Sequence, residues 1–247
     1  MPQSPLILLY RDENFLFIHK PAGIPFHSED DVEGIVSIVR AAYQNETLYP
    51  VHRLDKVTSG VMVFARNPSS NRKLSALFEQ RKVRKVYIAL SDFKPKKKQG
   101  WIKGDMVKAR GGSYKMLRTN ENPAITYFYS KKFSEHERVY FFVLVPKTGK
   151  THQLRVAMKS LGSAILGDER YKGSGHARAC LHAYGIQFTL EGKDYVVVDQ
   201  RLDDDLFYGA LGLDGCREWV NECGEDWLKD ALNAEGKYSS LQVDSKK

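Results

Sequence analysis

The chain has 247 residues, of which 42% are hydrophobic, 28% charged and 11% aromatic. This composition is typical of a folded protein and excludes a chain that is disordered throughout. No apolar run approaches the roughly 18 residues that a membrane-spanning helix needs, and the start lacks a basic segment followed by a long apolar stretch. We therefore expect a soluble protein that is neither exported nor embedded in a membrane.

The charge is positive and unevenly distributed. The formal net charge is +8, and residues 201–247 carry about −5, which leaves about +13 on residues 1–200. Lys and Arg that neutralise phosphates release condensed counterions, so the basic body favours a nucleic-acid partner. Many basic enzymes bind no polyanion, however, and an acidic end is also typical of a solvated helical tail. Charge alone therefore leaves the partner open.

The cysteine pattern gives no sign of a disulfide framework or of a zinc site. Cys180, Cys216 and Cys223 are an odd number, without CxxC spacing or a neighbouring histidine cluster. This usage predicts a reducing, cytoplasmic environment.

The first predicted elements lie in the amino-terminal third. Residues 14–20 are rich in aromatic and β-branched side chains and run into a Pro-Ala-Gly turn, which predicts a strand with Lys20 at its end. Residues 32–44 carry apolar side chains at helical spacing and predict a short amphipathic helix. The apolar run 60–65 predicts a buried strand, and Asn67 is placed to cap the helix that follows.

The middle of the chain is predicted to be mainly strands. Residues 86–90 have a strand pattern and lead into the basic loop 94–98, which is either solvated or in reach of phosphates. Residues 124–129 and 139–145 are two further strand candidates joined by a polar connector, so we expect them to pair as a hairpin.

A helix with one basic residue on it follows the hairpin. Thr151 is predicted to cap this helix, which continues to about Leu161 and ends at Gly162. Arg155 would then lie about one turn into the helix.

The last predicted elements complete a body of mixed α+β class. Leu181–Leu190 and residues 195–198 read as strands, and the aromatic pattern over 219–228 predicts one or two amphipathic helices. No Pro- or Ser-rich linker divides the first 200 residues. We therefore predict one domain over residues 1–200 and an acidic helical extension over 201–247.

Asp55 stands in an unusual setting, the string HRLDKVTSG over residues 52–60. A lone Asp in a loop before a strand is most often a cap or a surface ion-pair partner. Here basic residues, hydroxyls and a glycine surround the one carboxylate, and nearby cations would keep it ionised. The setting therefore makes Asp55 a candidate catalytic group.

The string resembles the HRLDxxTSG motif of the RluA-type pseudouridine synthases. Other motifs of that family follow in its order: KPAG at 20–23, KVY at 85–87, TGKTHQLRV at 148–156, ILGDERY at 165–171 and LHA at 181–183. The resemblance covers about residues 10–199. Because the catalytic pattern begins near residue 10, we expect no small amino-terminal RNA-binding domain before it.

The resemblance implies a fold and an activity. The fold would be a mixed, mostly antiparallel central sheet with flanking helices and a catalytic cleft. The activity would be isomerisation of particular uridines in ribosomal or transfer RNA, without cofactor or metal, by a protein that we expect to be monomeric. Cleavage of the N-glycosidic bond, rotation of the base and re-attachment through carbon 5 make up the reaction.

The resemblance also implies three catalytic residues. Asp55 would act at the ribose, either as a nucleophile or as a base, and the sequence leaves both roles open. Arg155 would pair with Asp55, although a helix-surface ion pair is its alternative role. Tyr87 would stack on the target base and take part in removing the carbon 5 proton, whereas a place in the core is its alternative.

Further residues of these motifs are predicted to bind the RNA. They are Lys20, His52, Arg53, Thr58, Ser59, Lys150, His152, Gln153 and Leu181. Arg53 and Lys150 are candidates for phosphate contacts with a flipped-out nucleotide. Neither His52 nor His152 has the spacing or the carboxylate neighbours of a metal site, which favours local hydrogen bonding for both.

Two positions depart from the family's pattern. Relatives have Arg where this chain has Lys150, and His where it has Ala157. Lys keeps the charge without the bidentate geometry of Arg. Both departures concern RNA contacts more than the chemistry of Asp55.

Two other functions are compatible with parts of the pattern. One is a catalytically silent RNA-binding or ribosome-assembly protein on the same scaffold, against which the intact Asp55, Tyr87 and Arg155 argue. The other is a glycosidic hydrolase that uses a pair of carboxylates, for which no second carboxylate is evident in the sequence.

Overall fold

The computed structural model describes residues 6–132 and 138–202, together with residues 219, 220 and 223. The strands are β1 (Ile7–Arg11), β2 (Phe15–Lys20), β3 (Tyr49–Pro50), β4 (Ser59–Ala65), β5 (Arg84–Ser91), β6 (Gln99–Gly104), β7 (Met106–Lys108), β8 (Tyr114–Met116), β9 (Ala124–Lys132), β10 (Tyr140–Pro146), β11 (Leu181–Leu190) and β12 (Lys193–Val198). The α-helices are α1 (Ile35–Ala42), α2 (Pro68–Glu79) and α3 (Gln153–Ser160).

A ten-stranded sheet forms the centre of the described protein. Its main path is β1-β2-β4-β11-β5-β10-β9-β6, while β12 pairs with β11, β3 pairs with β4, and β7 and β8 form a separate ribbon. Every pairing in the large sheet is antiparallel except that of β4 with β11. The predicted α+β class with a mostly antiparallel sheet is confirmed.

The central strands form because they are apolar on both faces. All residues of β2 and of β4 are buried, as expected of strands covered on two sides. On one face, Ala157 and Met158 of α3 pack against Phe142 and Leu144. On the other face, Val220 belongs to a cluster with strands β5 and β10.

The parallel pair β4–β11 brings the candidate site to the middle of the sheet. His182 lies opposite Ser59 and Ala183 opposite Gly60, so both strands begin at the same edge. Gly60 has φ +116°, and a Cβ there would meet the Ala183 carbonyl oxygen at 2.3 Å. Only glycine permits this close approach. The loop before β4, which carries Asp55, therefore lies next to the start of β11.

Most predicted elements are present, with shifted ends. The predicted helix over 32–44 is the shorter α1, and the strand pairs predicted around 124–145 and 181–198 are confirmed. Asn67 caps α2 as predicted, because its Oδ1 accepts from the Ser70 N–H at 2.8 Å. Strands β1 and β6 and the β7–β8 ribbon were not predicted.

The prediction that Thr151 caps the third helix is wrong. The cap residue of α3 is His152, which has a left-handed backbone with φ 58° and no capping side-chain hydrogen bond. Gln153 instead fixes the turn before the helix, because its Oε1 accepts from the Lys150 N–H at 3.0 Å. Gly162 ends the helix region with φ +80°, as predicted.

The predicted extension over 201–247 lies mostly outside the described residues. Of the predicted helices, Trp219 and Val220 are helical, and Trp219 meets the Phe141 ring at 6.1 Å between centroids. The boundary at residue 200 stays a prediction. Cys180 and Cys223 are buried.

Candidate active site

The loop that carries Asp55 is held by hydrogen bonds from the side chain of Lys20. The Lys20 side chain is fully buried, and its Nζ donates to the carbonyl oxygens of Pro21 at 2.9 Å, Lys56 at 3.3 Å and Thr58 at 2.9 Å. Burial lowers the pKa of Lys20 to about 7, against the opposing influence of the Asp55 charge. Three backbone acceptors thus hold the loop around Asp55 in one conformation.

The Asp55 carboxylate faces two cationic or titratable side chains. Its Oδ2 lies 3.4 Å from Arg155 Nη1 and 4.0 Å from His152 Nε2. The Asp55 side chain is 19% exposed, so one edge remains open to a ligand. The predicted pairing of Arg155 with Asp55 is confirmed.

Asp168, which sequence reasoning missed, is the stronger partner of Arg155. Arg155 Nε donates to Asp168 Oδ2 at 2.7 Å and Nη2 to Oδ1 at 2.8 Å, and the two side chains are 5% and 1% exposed. Burial lowers the pKa of Arg155, but hydrogen bonding and charge from Asp168, followed by Asp55, outweigh it and raise that pKa. The fork-shaped guanidinium is therefore anchored on Asp168 and presents its remaining nitrogen to Asp55.

His152 belongs to a second hydrogen-bonded group beside Asp55. The Tyr171 hydroxyl accepts from the Tyr114 N–H at 3.0 Å and lies 2.8 Å from His152 Nδ1. Burial, ahead of the opposing charge of Asp55, lowers the pKa of His152. Either the Tyr171 hydroxyl or His152 Nδ1 can be the donor in this contact, and Nε2 is the ring nitrogen that faces Asp55.

Tyr87 lines the same cavity as Asp55 and Arg155. It lies on β5 between Ala183 of β11 and Leu144 of β10. Burial raises the pKa of Tyr87 above its ordinary value, and the nearby charge of Asp55 raises it further. The side chain is therefore a neutral phenol that is half-buried at the cavity.

These groups enclose a cavity of about 260 Å³. Ten of the twelve predicted site residues line it: His52, Arg53, Asp55, Thr58, Tyr87, Lys150, His152, Gln153, Arg155 and Leu181. Lining residues that were not predicted include Phe78, Lys85 and Thr148. Lys85 stands in the KVY motif, so its basic character next to Tyr87 was the available signal.

Lys20 and Ser59 do not line the cavity, although both were predicted to bind substrate. Lys20 supports the loop, and the Ser59 hydroxyl lies 2.8 Å from His182 Nδ1 and 2.7 Å from Arg178 Nη2. The structure gives both side chains partners inside the protein.

His52 and Gln153 line the cavity, but polar atoms of both side chains are hydrogen-bonded to other groups of the protein. His52 Nε2 accepts from the Val63 N–H at 3.0 Å, and burial, with a smaller effect of Lys85, lowers the pKa of His52 to about 3. Gln153 Oε1 accepts from the Thr148 hydroxyl at 2.7 Å. The prediction of local hydrogen bonding is confirmed for His52.

The two departures from the family's pattern lie in different environments. Lys150 lines the cavity and donates to the Asn122 carbonyl oxygen. Ala157 is fully buried in the core and is not among the residues that line the cavity. Its effect on RNA contacts would therefore be indirect.

The described residues show neither a metal cluster nor a membrane helix. Within residues 6–132 and 138–202, no group of three or more His, Cys, Asp or Glu side chains is placed to hold a metal ion. Among the helices of the described chain, none has both the length and the apolar character to cross a membrane.

Solved structures with a similar fold were found. The human RNA pseudouridylate synthase domain containing 4 has 26% identity and a TM-score of 0.67, over 83% of this chain and 91% of that one. The human RNA pseudouridylate synthase domain containing 1 has 23% identity and a TM-score of 0.71, over 95% of this chain and 98% of that one, and supports the fold alone.

Sequence comparison identifies the family. The family model described as RNA pseudouridylate synthase matches residues 14–160. An uncharacterized RNA pseudouridine synthase of Haemophilus influenzae is 46% identical over 73% of this chain and 81% of that protein. A tRNA pseudouridine synthase C of Haemophilus ducreyi is 33% identical over 74% of this chain and 85% of that protein. A ribosomal large subunit pseudouridine synthase C of Rickettsia bellii is 36% identical over 66% of this chain, which spans 56% of that protein. The matched region contains Asp55, Tyr87 and Arg155 of the candidate active site. The chain therefore belongs to the RNA pseudouridylate synthase family, which is a family of isomerases.

Proposed function

We propose that the protein converts particular uridines of ribosomal or transfer RNA to pseudouridine, with Asp55 as the essential carboxylate. The observation that carries this proposal is that the partly exposed Asp55 carboxylate lines a small cavity together with its partner Arg155 and with Tyr87. Both classes of RNA are proposed because similar proteins are named for each.

The size of the cavity supports capture of one nucleotide. Its volume of about 260 Å³ lies just below the roughly 300–1,000 Å³ of pockets for drug-sized ligands. A base inside folded RNA reaches such a cavity only after it is flipped out, which costs a few kcal/mol. Stacking on Tyr87 and phosphate contacts from exposed Arg53 offset that cost.

The proposed reaction is the one that membership of the family implies, with Asp55 as the group that acts first. The carboxylate acts on the ribose of the flipped nucleotide, and the bond between ribose carbon 1′ and uracil N1 breaks. The base rotates within the cavity, a bond forms between carbon 1′ and carbon 5, the carbon 5 proton leaves, and N1 gains a proton. Atoms balance without a co-reactant, so product and substrate have the same mass.

The neighbours of Asp55 support this chemistry in different ways. Arg155 holds the carboxylate in place and keeps its own charge, because Asp168 raises its pKa. Tyr87 is a neutral phenol, which suits stacking on the uracil better than it suits a permanent base. Asp168 is not a free second carboxylate, since both its oxygens accept from Arg155. This engagement argues against a hydrolase with a carboxylate pair.

The test is isomerisation by the purified protein. Unmodified transfer RNA and large-subunit ribosomal RNA transcripts are incubated with the wild type, with Asp55→Asn and with Asp31→Asn, a control at an exposed acid. Wild type and D31N are expected to form pseudouridine without a change in RNA mass, and D55N is expected to form none while still binding RNA. Free uracil and an abasic RNA would indicate a hydrolase instead, and full activity of D55N would contradict the proposed role of Asp55.

The cellular setting remains part of the proposal. We expect the protein to act in the cytoplasm, as a monomer, on its RNA substrate.

A further inference from the structure

A second groove adjoins the candidate active site. Its volume is about 380 Å³, and it lies where the chain leaves α2 for β5 and where β10 ends. Residues Arg81, Lys82, Val83, Arg84, Lys85, Val145, Pro146 and Lys147 line it. Lys85 and Pro146 also line the catalytic cavity, so the two spaces adjoin each other at these residues. We call this second space the basic groove.

The charge of the basic groove is of one sign. Among the described residues that line it, five are Lys or Arg and none is Asp or Glu. Arg81, Lys82, Arg84 and Lys147 are exposed at its surface. Burial and the charge of Lys147 lower the pKa of Lys85, in the direction expected where cations crowd together. Such a concentration of positive charge favours an anion that bridges several cations at once.

The backbone at Arg81 gives a second, independent indication. Helix α2 ends in a motif in which the Arg81 N–H donates to the Phe78 carbonyl oxygen at 3.0 Å and the Lys82 N–H to the Leu77 carbonyl oxygen at 2.9 Å. Arg81 occupies the left-handed position of this motif, with φ 59°. Glycine is the residue that this position favours, because a Cβ is strained there. A cationic side chain therefore stands at the groove in a position where the backbone geometry favours glycine.

We propose that the basic groove binds phosphates of the RNA strand adjoining the target uridine, with Arg81 and Lys82 as the outer contacts and Lys85 at the junction with the active site. This inference rests on the proposed function, because it takes the RNA in the cavity and the RNA in the groove to be one strand. The groove adjoins the catalytic cavity, and its described lining residues include no acid, which favours RNA over an apolar or basic partner. An acidic protein segment is the alternative occupant.

The contacts predict a measurable dependence on salt. Each phosphate contact with single-stranded nucleic acid contributes about 0.7 to the slope of log affinity against log salt concentration. Loss of the two outer cations should therefore reduce the magnitude of that slope by about 1.4, and weaken binding roughly ten- to thirty-fold near 0.1 M salt.

The experiment uses the variant Arg81→Gly with Lys82→Gln. Glycine at position 81 relieves the left-handed backbone, so the melting temperature should not fall. The matched control is Lys96→Gln with Lys97→Gln, which removes two exposed cations from the loop before β6. Neither residue lines the catalytic cavity or the basic groove, so this control also tests whether the loop contacts phosphates. Binding of a fluorescein-labelled oligouridylate is measured by anisotropy between about 50 and 200 mM salt, with Asp55→Asn added to both variants and to the reference so that no turnover occurs.

The outcomes separate this inference from the proposed function. A smaller slope in R81G/K82Q, with an unchanged slope in K96Q/K97Q, supports the groove even if the wild type isomerises no RNA. Isomerisation by the wild type together with an unchanged slope in R81G/K82Q overturns the groove and leaves the proposed function standing. An equal fall in both variants also overturns it, because any two cations would then suffice. With active protein, R81G/K82Q should raise KM more than it lowers kcat.

Discussion

Arg155 and Lys20 are both buried cations next to the Asp55 loop, but the protein holds them in different ways. Arg155 is bonded through two nitrogens to the carboxylate of Asp168. Lys20 is bonded to three backbone carbonyl oxygens. The pKa of Arg155 is raised by its carboxylate partners, whereas burial lowers the pKa of Lys20 to about 7.

The different partners give Arg155 and Lys20 different roles around Asp55. A carboxylate partner makes the charge of Arg155 permanent, which suits a group that must position an anion. Carbonyl partners give Lys20 a mechanical role, because its ammonium group ties Pro21, just after β2, to Lys56 and Thr58 of the loop that carries Asp55. Each role predicts a different response to mutation.

The largest effect is expected from Asp168→Asn. The substitution breaks a buried ion pair and should lower the free energy of unfolding by about 3–5 kcal/mol. It should also lower kcat on the order of 100-fold, because the fork of Arg155 is no longer fixed against Asp55. Urea unfolding and single-turnover kinetics measure the two effects.

Glu169→Gln is the matched control for Asp168→Asn. Glu169 is the exposed neighbour in the chain, so the same chemical change there should have little effect on stability or rate. If D168N and E169Q had the same free energy of unfolding and the same kcat, the anchoring of Arg155 by Asp168 would not contribute to stability or catalysis.

A smaller effect is expected from Lys20→Met. Methionine fills the space but leaves the carbonyl oxygens of Pro21, Lys56 and Thr58 without their donor, which should lower the free energy of unfolding by about 2–3 kcal/mol. The exposed Lys56→Met on the same loop serves as control. A kcat of K20M equal to that of K56M would argue against a link between Lys20 and the position of Asp55.

The last predicted effect concerns stability alone, through its dependence on pH. Folded His52 stays neutral down to about pH 3, whereas the unfolded chain protonates it near pH 6.5. The unfolded state therefore binds more protons between these values, and the free energy of unfolding falls as the pH drops through that window. His52 should account for roughly 2–3 kcal/mol of the loss between pH 7 and pH 4.

His52→Gln tests this assignment. The glutamine oxygen can accept from the Val63 N–H without titrating, so denaturant unfolding of H52Q should depend less on pH than that of the wild type. His182, whose pKa burial lowers to about 4 in spite of the opposing charge of Asp199, remains in both proteins. Identical pH profiles would show that His52 is not the responsible group.

The elements that the sequence predicted correctly are those whose signal lies within a few consecutive residues. Residues 14–20 and 60–65 were recognised as strands because they are continuously apolar, and Asn67 was recognised as a cap because its role is set by the residues just after it. Strand β6 was missed because only Ile102 and Gly104 are buried in it, which gives the edge strand little apolar signal.

The sequence did not reveal partners that meet only in the folded chain. Asp168 lies 13 residues from Arg155 and reaches it across the end of α3, so neither helical nor strand spacing relates them. The role of Lys20 depends on the carbonyl of Thr58, which is 38 residues away. Motifs thus identified most residues of the cavity, but the division between ligand contacts and internal supports required the fold.

The most direct test of the central role of Asp55 is chemical mapping of pseudouridine in total RNA. The RNA comes from a strain that lacks the gene and from the same strain supplied with the wild type or with Asp55→Asn. We predict that particular uridines lose the modification in the deletion strain, regain it with the wild type and stay unmodified with D55N. Identical maps in all three strains, or restoration by D55N, would contradict the account.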